Sequence, residues 1–77
     1  MADIEALARL VGKDVELQFA NGHVVRANLV TVDLDQPREI IYRVLEIVAT
    51  GPPKLAGVKP GVVAAANPSD LLSFRVL

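Results

Sequence analysis

Residues 13–33, with the sequence KDVELQFANGHVVRANLVTVD, decide the fold. In the stretch 15–19 apolar side chains alternate with polar ones, and this period of two is typical of a strand with one buried and one solvated face. Asn21 and Gly22 then mark a turn. Because apolar residues occupy alternate positions again in 25–29, the stretch predicts a β-hairpin.

The hydrophobic pattern also predicts the register of this hairpin. A two-residue loop at Asn21-Gly22 would pair apolar residues with polar ones. A type I turn over residues 19–22, with Gly22 in the left-handed conformation, pairs apolar residues with apolar ones instead. It places Glu16 opposite Arg26 on the solvated side, a favourable cross-strand pair. The predicted apolar pairs are Leu17 with Val25 and Val15 with Ala27.

A short helix is expected before the hairpin. Apolar residues between Ile4 and Val11 fall at helical spacing, Asp3 can cap the first turn, and Gly12 supplies a stop. The sequence therefore predicts a helix over Ile4–Val11, of about two turns, which is too short to be stable alone.

The segment after the hairpin fits two structures. The second strand is predicted to end at about Val32, before an acidic turn at 33–37. In Glu39–Ala49 some apolar residues have helical spacing, and Pro37 can open a helix. The density of β-branched and aromatic residues favours a strand instead. A helix from Pro37 to Val48 stays the alternative.

The remaining residues predict two further strands. Gly51-Pro52-Pro53 ends the third strand and begins a loop of about ten residues. A fourth strand is predicted at Val62–Ala66, a tight turn or single 3₁₀ turn at 67–70, and a last strand at Leu72–Leu77. The expected fold is mainly β, with a short N-terminal helix and a five-stranded, strongly bent antiparallel barrel, as one domain over residues 1–77.

Composition narrows the classes of function. The chain has no cysteine, so we expect neither disulfides nor thiolate metal sites, and a reducing cytoplasm is the predicted location. A net charge of −1 provides no broad attraction for a polyanion. The N-terminus lacks a signal-peptide pattern and no apolar stretch reaches the roughly 18 residues of a membrane span, so we expect no membrane partner.

Catalysis has the weakest support. The chain has one histidine, no cysteine, no glycine-rich phosphate loop and no metal-ligand spacing, and nothing places a base beside a serine or threonine. We therefore expect no enzyme, no catalytic residues, no cofactor and no metal site.

The hairpin resembles the first Sm motif of the Sm-like (LSm) family. That motif combines alternating apolar residues, an Asn-Gly turn and an Asp that closes the second strand. The matching residues are Leu17, Phe19, Asn21, Gly22, Val25, Leu29 and Asp33. The chain departs from the family at Ala27, where Gly is usual, and no Asn follows Asp33, where members line a uridine pocket. At 63–67 the sequence VAAAN stands in place of the Arg-Gly of the second motif.

The resemblance implies an SH3-like or Sm-like barrel that joins with copies of itself, edge strand to edge strand, into a homo-oligomeric ring. The implied edges carry only one charge, Arg75, so little in the sequence protects them from pairing. The edge residues expected to take part are Val62, Val63, Ala64, Phe74 and Val76.

The family likeness also implies RNA binding or a scaffold role in a ribonucleoprotein. The candidate RNA-binding residues are Asp33, Arg38, Arg43 and His23. His23 can donate to a phosphate, although a lone turn histidine is usually solvent-facing and incidental. Asp33 and Asp35 can bind a cation or shape a pocket, or simply form the turn.

The alternative function is a protein-interaction or structural module with no nucleic-acid ligand. Such a module would use an exposed edge or the Pro-rich loop that carries Lys54 and Lys59. The acidic balance and the low aromatic content, 4%, favour this alternative.

Overall fold

The computed structural model describes residues 3–35, 38–51 and 59–77. Within these ranges the chain forms a short helix and one antiparallel sheet of five strands in the order β4-β3-β2-β1-β5. The mainly β fold, with a helix before five antiparallel strands, is confirmed. The elements are α1 (Ile4–Ala8), β1 (Asp14–Phe19), β2 (Val24–Asp33), β3 (Glu39–Ala49), β4 (Val63–Ala66), a 3₁₀ turn (Pro68–Asp70) and β5 (Leu71–Val76).

Helix α1 begins as predicted and ends early. The Oδ1 atom of Asp3 accepts a hydrogen bond from the backbone N–H of Ala6 at 3.1 Å, which caps the first turn. Leu7 is fully buried and holds the helix against the core. The predicted end at Val11 is wrong, because the helix stops at Ala8. Val11 is exposed, so no packing stabilises a further helical turn there.

The β1–β2 hairpin has the predicted turn and register. The backbone N–H of Gly22 donates to the carbonyl of Phe19 at 3.0 Å, and Gly22 has a φ of 93°. The ladder is regular from Asp14 to Gln18 on β1. The confirmed pairs are Val15 with Ala27, Glu16 with Arg26 and Leu17 with Val25.

The ambiguous third segment is a strand over its full predicted length, Glu39–Ala49. Its pairing with β2 is interrupted by three register shifts. At each shift one strand carries an extra residue, and these extra residues are Val30, Leu45 and Val48. Such bulges bend and twist a sheet. They also displace apolar residues from strict alternation, which explains why the segment has partly helical spacing.

The two ends of the sheet do not meet. In the described ranges β4 pairs with β3 alone and β5 with β1 alone, so backbone hydrogen bonds do not close the sheet. Strand β4 begins at Val63 rather than the predicted Val62, and the carbonyl of Val62 accepts from the N–H of Val44 at 2.9 Å. Strand β5 begins at Leu71 and ends at Val76, one residue earlier than predicted at each end.

In the described ranges the core is an apolar cluster to which α1 and strands β1, β2, β3 and β5 contribute. Its members include Leu7, Val15, Leu17, Val25, Leu29, Ile40 and Leu71. One polar residue of the described chain, His23, is buried as deeply as these, with 2% of its surface exposed. A buried polar side chain needs a hydrogen-bond partner, so the surroundings of His23 must supply one.

Candidate functional site

The first candidate surface is the pair of sheet edges, β4 and β5, which we call the open seam. Val63 on β4 is 50% exposed, and Leu72 and Val76 on β5 are 57% and 52% exposed. Strand β4 carries no charged residue, and β5 carries only Arg75. Natural edge strands usually carry lysine, proline or inward charges that prevent pairing. The open seam has almost none of these protections.

The predicted edge residues are not equally available at the seam. Val63 is exposed, and Val76 lies opposite the buried Val15 yet stays half exposed because no strand covers it. Ala64 and Phe74 pack partly against the core, and Val62 already bonds to β3 through its carbonyl. The sequence does not predict Leu72 as an edge residue. Its exposure at the edge depends on a register shift between β1 and β5, which no sequence pattern indicates.

Two of the predicted RNA-binding residues lie near each other at the β2–β3 turn. Asp33 ends β2 opposite Glu39, and Arg38 directly precedes β3. The Oδ1 atom of Asp33 accepts from the N–H of Asp35 at 3.0 Å, so this carboxylate forms part of the turn. Arg38 is exposed.

Arg43 lies on the solvated side of β3, next to β4. It is exposed and stands opposite Asn28 on one side and Val63 on the other. Neither Arg38 nor Arg43 forms an ion pair with another residue in the described ranges. Both guanidinium groups are therefore available to an anionic partner. Lys54, in the predicted loop, lies outside the described residues.

His23 lies at the opposite end of β2 from Asp33, so the predicted RNA-binding residues do not converge on one site. The expectation that His23 faces solvent is wrong, because its side chain is buried. Its Nδ1 atom accepts a hydrogen bond from the N–H of Gly51 at 3.0 Å, which gives one nitrogen of the buried ring a partner. The imidazole thus connects the β1–β2 turn to the chain that follows β3.

This connection requires a close approach of two backbones. A Cβ atom on Gly51 would lie 1.7 Å from the carbonyl oxygen of Asn21, so only glycine fits there. The Oδ1 atom of Asn21 accepts from the backbone N–H of His23 at 3.1 Å, which fixes the turn and the orientation of the Asn21 amide. The turn and the end of β3 are thereby held together.

A cleft of about 130 Å³ opens beside His23, and we call it the seam cleft. It is lined by the β1–β2 turn, β3, the end of β4 and the turn that leads into β5. Its lining residues are Phe19, Asn21, His23, Tyr42, Ala65, Ala66 and Asp70. The Phe19 and Tyr42 rings pack with centroids 6.1 Å apart at an angle of 34°, and burial raises the pKa of the Tyr42 hydroxyl. Among the described residues of the lining, Asp70 is the one with a charged side chain.

A second cleft, of about 110 Å³, lies on the outer side of β1 and β5. Its polar groups bond to one another. The Arg75 guanidinium bonds to Glu16 at 2.6 Å and 2.9 Å, and the hydroxyl of Ser73 donates to Gln18 at 2.8 Å. Because these groups are already paired, this cleft has fewer polar groups available to a ligand than the seam cleft has.

Other kinds of site are not found in the described part of the chain. Residues 3–35, 38–51 and 59–77 contain no group of three or more His, Cys, Asp or Glu side chains that could hold a metal ion. None of the helices in the same ranges is long and apolar enough to cross a membrane. Comparisons with known protein families, with curated proteins and with solved structures found no match.

Proposed function

We propose that this protein is an Sm-like subunit that assembles with copies of itself into a ring and that the ring binds RNA. The observation that carries the proposal is the strand order, which leaves β4 and β5 unpaired with each other at opposite ends of one sheet. Each subunit thus offers two different edges. The β4 edge of one subunit can pair with the β5 edge of the next.

The energetics favour this assembly. Pairing would satisfy backbone groups at both edges and remove the exposed Val63, Leu72 and Val76 from water. A 77-residue chain has a modest core, so added burial is a substantial gain in stability. A contact between two different surfaces repeats from subunit to subunit and forms a ring when the rotation closes.

RNA binding would rest on Arg38 and Arg43, which are exposed on every subunit. The chain has a net charge of −1, so attraction to RNA would be local rather than general. A ring repeats each arginine once per subunit, and several weak contacts to one strand of RNA add up through effective concentration. The affinity should fall with salt in proportion to the number of phosphates contacted.

Native mass spectrometry tests the assembly. The wild-type protein is expected to form a closed ring of several subunits. Val63→Lys places a charge on the β4 edge and should shift the protein to monomers while circular dichroism keeps its β signal. Val30→Lys is the matched control, because Val30 is also exposed but lies on the central strand β2. A monomeric wild type, or a Val63→Lys variant that still forms rings, would overturn the proposed edge pairing.

RNA binding is tested separately with short uridine-rich and adenine-rich RNAs at moderate salt. Arg38→Ala and Arg43→Ala should each weaken binding roughly fivefold to tenfold, the loss of one phosphate contact per subunit. Arg9→Ala removes an exposed arginine next to α1 and serves as the control. If no RNA binds the wild-type ring, the RNA part of the proposal fails.

A second candidate function is a protein-interaction module without a nucleic-acid ligand. The observation in its favour is that His23 and Asp33, two of the predicted RNA-binding residues, lie at opposite ends of β2. In this case an exposed edge would take a strand from a different protein. Rings without affinity for RNA would indicate a scaffold, and a monomer would favour strand exchange with another partner.

A further inference from the structure

The hydrogen bonds around the seam cleft fix which polar groups are left for a ligand. The Nδ1 atom of His23 accepts from Gly51, so in the neutral ring the proton is on Nε2, which is a donor. The Oδ1 atom of Asn21 accepts from the backbone of His23, which leaves the amide nitrogen of Asn21 as a donor. Two residues of the cleft lining, His23 and Asn21, therefore offer hydrogen-bond donors.

Asp70, in the same lining, offers a hydrogen-bond acceptor instead of a donor. Its backbone is engaged, with its N–H donating to Asn67 at 3.0 Å and its carbonyl accepting from Ala20 at 2.8 Å. Its carboxylate forms no side-chain hydrogen bond or ion pair with the described residues. An ionised carboxylate accepts two parallel hydrogen bonds and donates none.

A ligand that matches this lining has two adjacent donors for Asp70 and an acceptor for His23 or Asn21. The Watson–Crick edge of guanine has this pattern, with N1–H and N2–H next to the acceptor O6. Uracil, cytosine and adenine each present at most one donor beside acceptors, so a carboxylate favours guanine among the bases. We infer that the seam cleft binds a guanine base, read by Asp70 through its donors and by His23 and Asn21 through its carbonyl oxygen.

The size and walls of the cleft agree with a flat base. At about 10–15 Å³ for each water-sized position, a cleft of about 130 Å³ has room for roughly ten such positions. The side chains of Ala65 and Ala66 are small and leave this space, and Phe19 and Tyr42 supply an aromatic wall.

An arginine side chain from a protein partner is the main competitor for this site. A guanidinium would also pair with Asp70 and pack against the aromatic residues. It has no acceptor, so it would leave the donors of His23 and Asn21 without a partner. Guanine uses both the donors and the acceptor of the lining, and this difference favours the base.

The inference rests on the proposed function only in that RNA supplies the base. It is therefore tested with free nucleotides, which bind whether or not a ring forms. In two-dimensional NMR, GMP should shift the resonances of His23 and Tyr42, whereas AMP, CMP and UMP at equal concentration should shift them much less. N-acetylarginine amide is the probe for the competing ligand.

Asp70→Asn is the decisive variant, because the amide cannot accept two parallel hydrogen bonds and Asp70 is exposed, so the fold should be retained. We expect at least about a tenfold loss of GMP affinity. Glu5→Gln, the same change of carboxylate to amide at an exposed position of α1, is the control and should bind GMP as the wild type does.

The outcomes separate the two proposals. GMP binding that Asp70→Asn abolishes supports the guanine site, even if native mass spectrometry finds only monomers and the ring proposal fails. Intact rings that bind uridine-rich RNA but show no response to GMP would overturn the guanine site alone. Three other results would also overturn the guanine site. The first is equal binding of all four nucleotides, and the second is a response to the arginine amide without a response to GMP. The third is an unchanged GMP affinity in Asp70→Asn.

Discussion

The β1–β2 and β2–β3 strand pairs are built from similar apolar sequences, yet only the first is regular. Between β1 and β2 the ladder runs without interruption, and every apolar residue of the alternating pattern faces the core. Between β2 and β3 the register shifts three times. The difference shows that alternation predicts burial only where each residue occupies one position in the ladder. An extra residue in one strand reverses the faces beyond it.

The extra residues of the bulged pair are apolar but face solvent. Val30, Leu45 and Val48 are 41%, 43% and 46% exposed, although leucine and valine are commonly buried. Their exposure is a consequence of the bulges. Bulges of this kind bend a sheet, and the end of the bulged strand β3 comes close to the β1–β2 turn that lines the seam cleft.

The largest expected effect on stability comes from truncating a leucine side chain to alanine, and one leucine in each region is compared. Leu17→Ala in the regular hairpin removes a fully buried side chain and should lower the free energy of unfolding by about 3 kcal/mol. Leu45→Ala at a bulge should lower it by less than about 0.5 kcal/mol, because the side chain is already exposed. Urea denaturation measures both. Similar losses for the two variants would mean that the exposed bulge leucine is covered in solution, for example by another subunit.

This contrast also explains how much of the fold the sequence predicts. The turn at Asn21-Gly22 and the register of the hairpin follow from local chemistry and a period of two, and both are predictable. The strand in Glu39–Ala49 is predictable from its β-branched residues, but its bulges are not, because no residue type marks them. The early end of α1 was missed because it depends on whether Val11 reaches the core, a tertiary contact.

The next largest effect is expected where the two regions touch. Gly51 lies two residues after the end of β3. In Gly51→Ala the new Cβ atom would clash with the carbonyl oxygen of Asn21 in the β1–β2 turn. The turn must move, and the bond from Gly51 to His23 lengthens, so we expect a loss of about 2 kcal/mol in the free energy of unfolding. Thr50→Ala, at the exposed neighbouring position, is the control. A Gly51→Ala variant as stable as Thr50→Ala would show that this approach does not exist in solution.

A smaller effect separates an ion pair between the regular strand β1 and its neighbour β5 from one between β2 and the bulged strand β3. The Glu16 side chain on β1 is 12% exposed and bonds to Arg75 at 2.6 Å, whereas Glu46 on β3 is 60% exposed and reaches Arg26 at 3.5 Å. Glu16→Gln should cost about 1 kcal/mol, since a partly buried charged hydrogen bond is lost even though Arg75 itself is exposed. Glu46→Gln should cost less than about 0.5 kcal/mol. Equal costs at low and high salt would contradict an ionic origin for the Glu16 effect.

The candidate site was less predictable than the fold, for a physical reason. Sequence reasoning placed His23 in solvent because it sits beside a turn, but the N–H of Gly51, distant in the chain, supplies the partner that makes its burial stable. The sequence predicts Asp70 only as part of a turn, and nothing local shows that it lines a cleft together with Tyr42. Sites assembled from several elements by a bent sheet leave no short motif in the sequence.

The smallest effect at neutral pH concerns Tyr42, at the point where the bulged strand β3 lines the seam cleft. Burial raises the pKa of its hydroxyl above the ordinary value of 10.0. The folded protein therefore keeps this proton more tightly than the unfolded chain does. Stability is unaffected below the unfolded pKa and should fall as the pH rises above it, because only the unfolded chain then ionises freely.

Tyr42→Phe isolates this contribution from the lysines that titrate in the same range. The chain has one tyrosine, so tyrosinate absorbance follows this hydroxyl alone. Urea denaturation between pH 8 and about pH 11 should show a steeper loss of stability in the wild type than in Tyr42→Phe, with equal slopes below pH 9. Parallel curves at all pH values would mean that the hydroxyl reaches water freely. The seam cleft would then be wider than the packing of Phe19 and Tyr42 indicates, and a base bound in it would lose its aromatic wall.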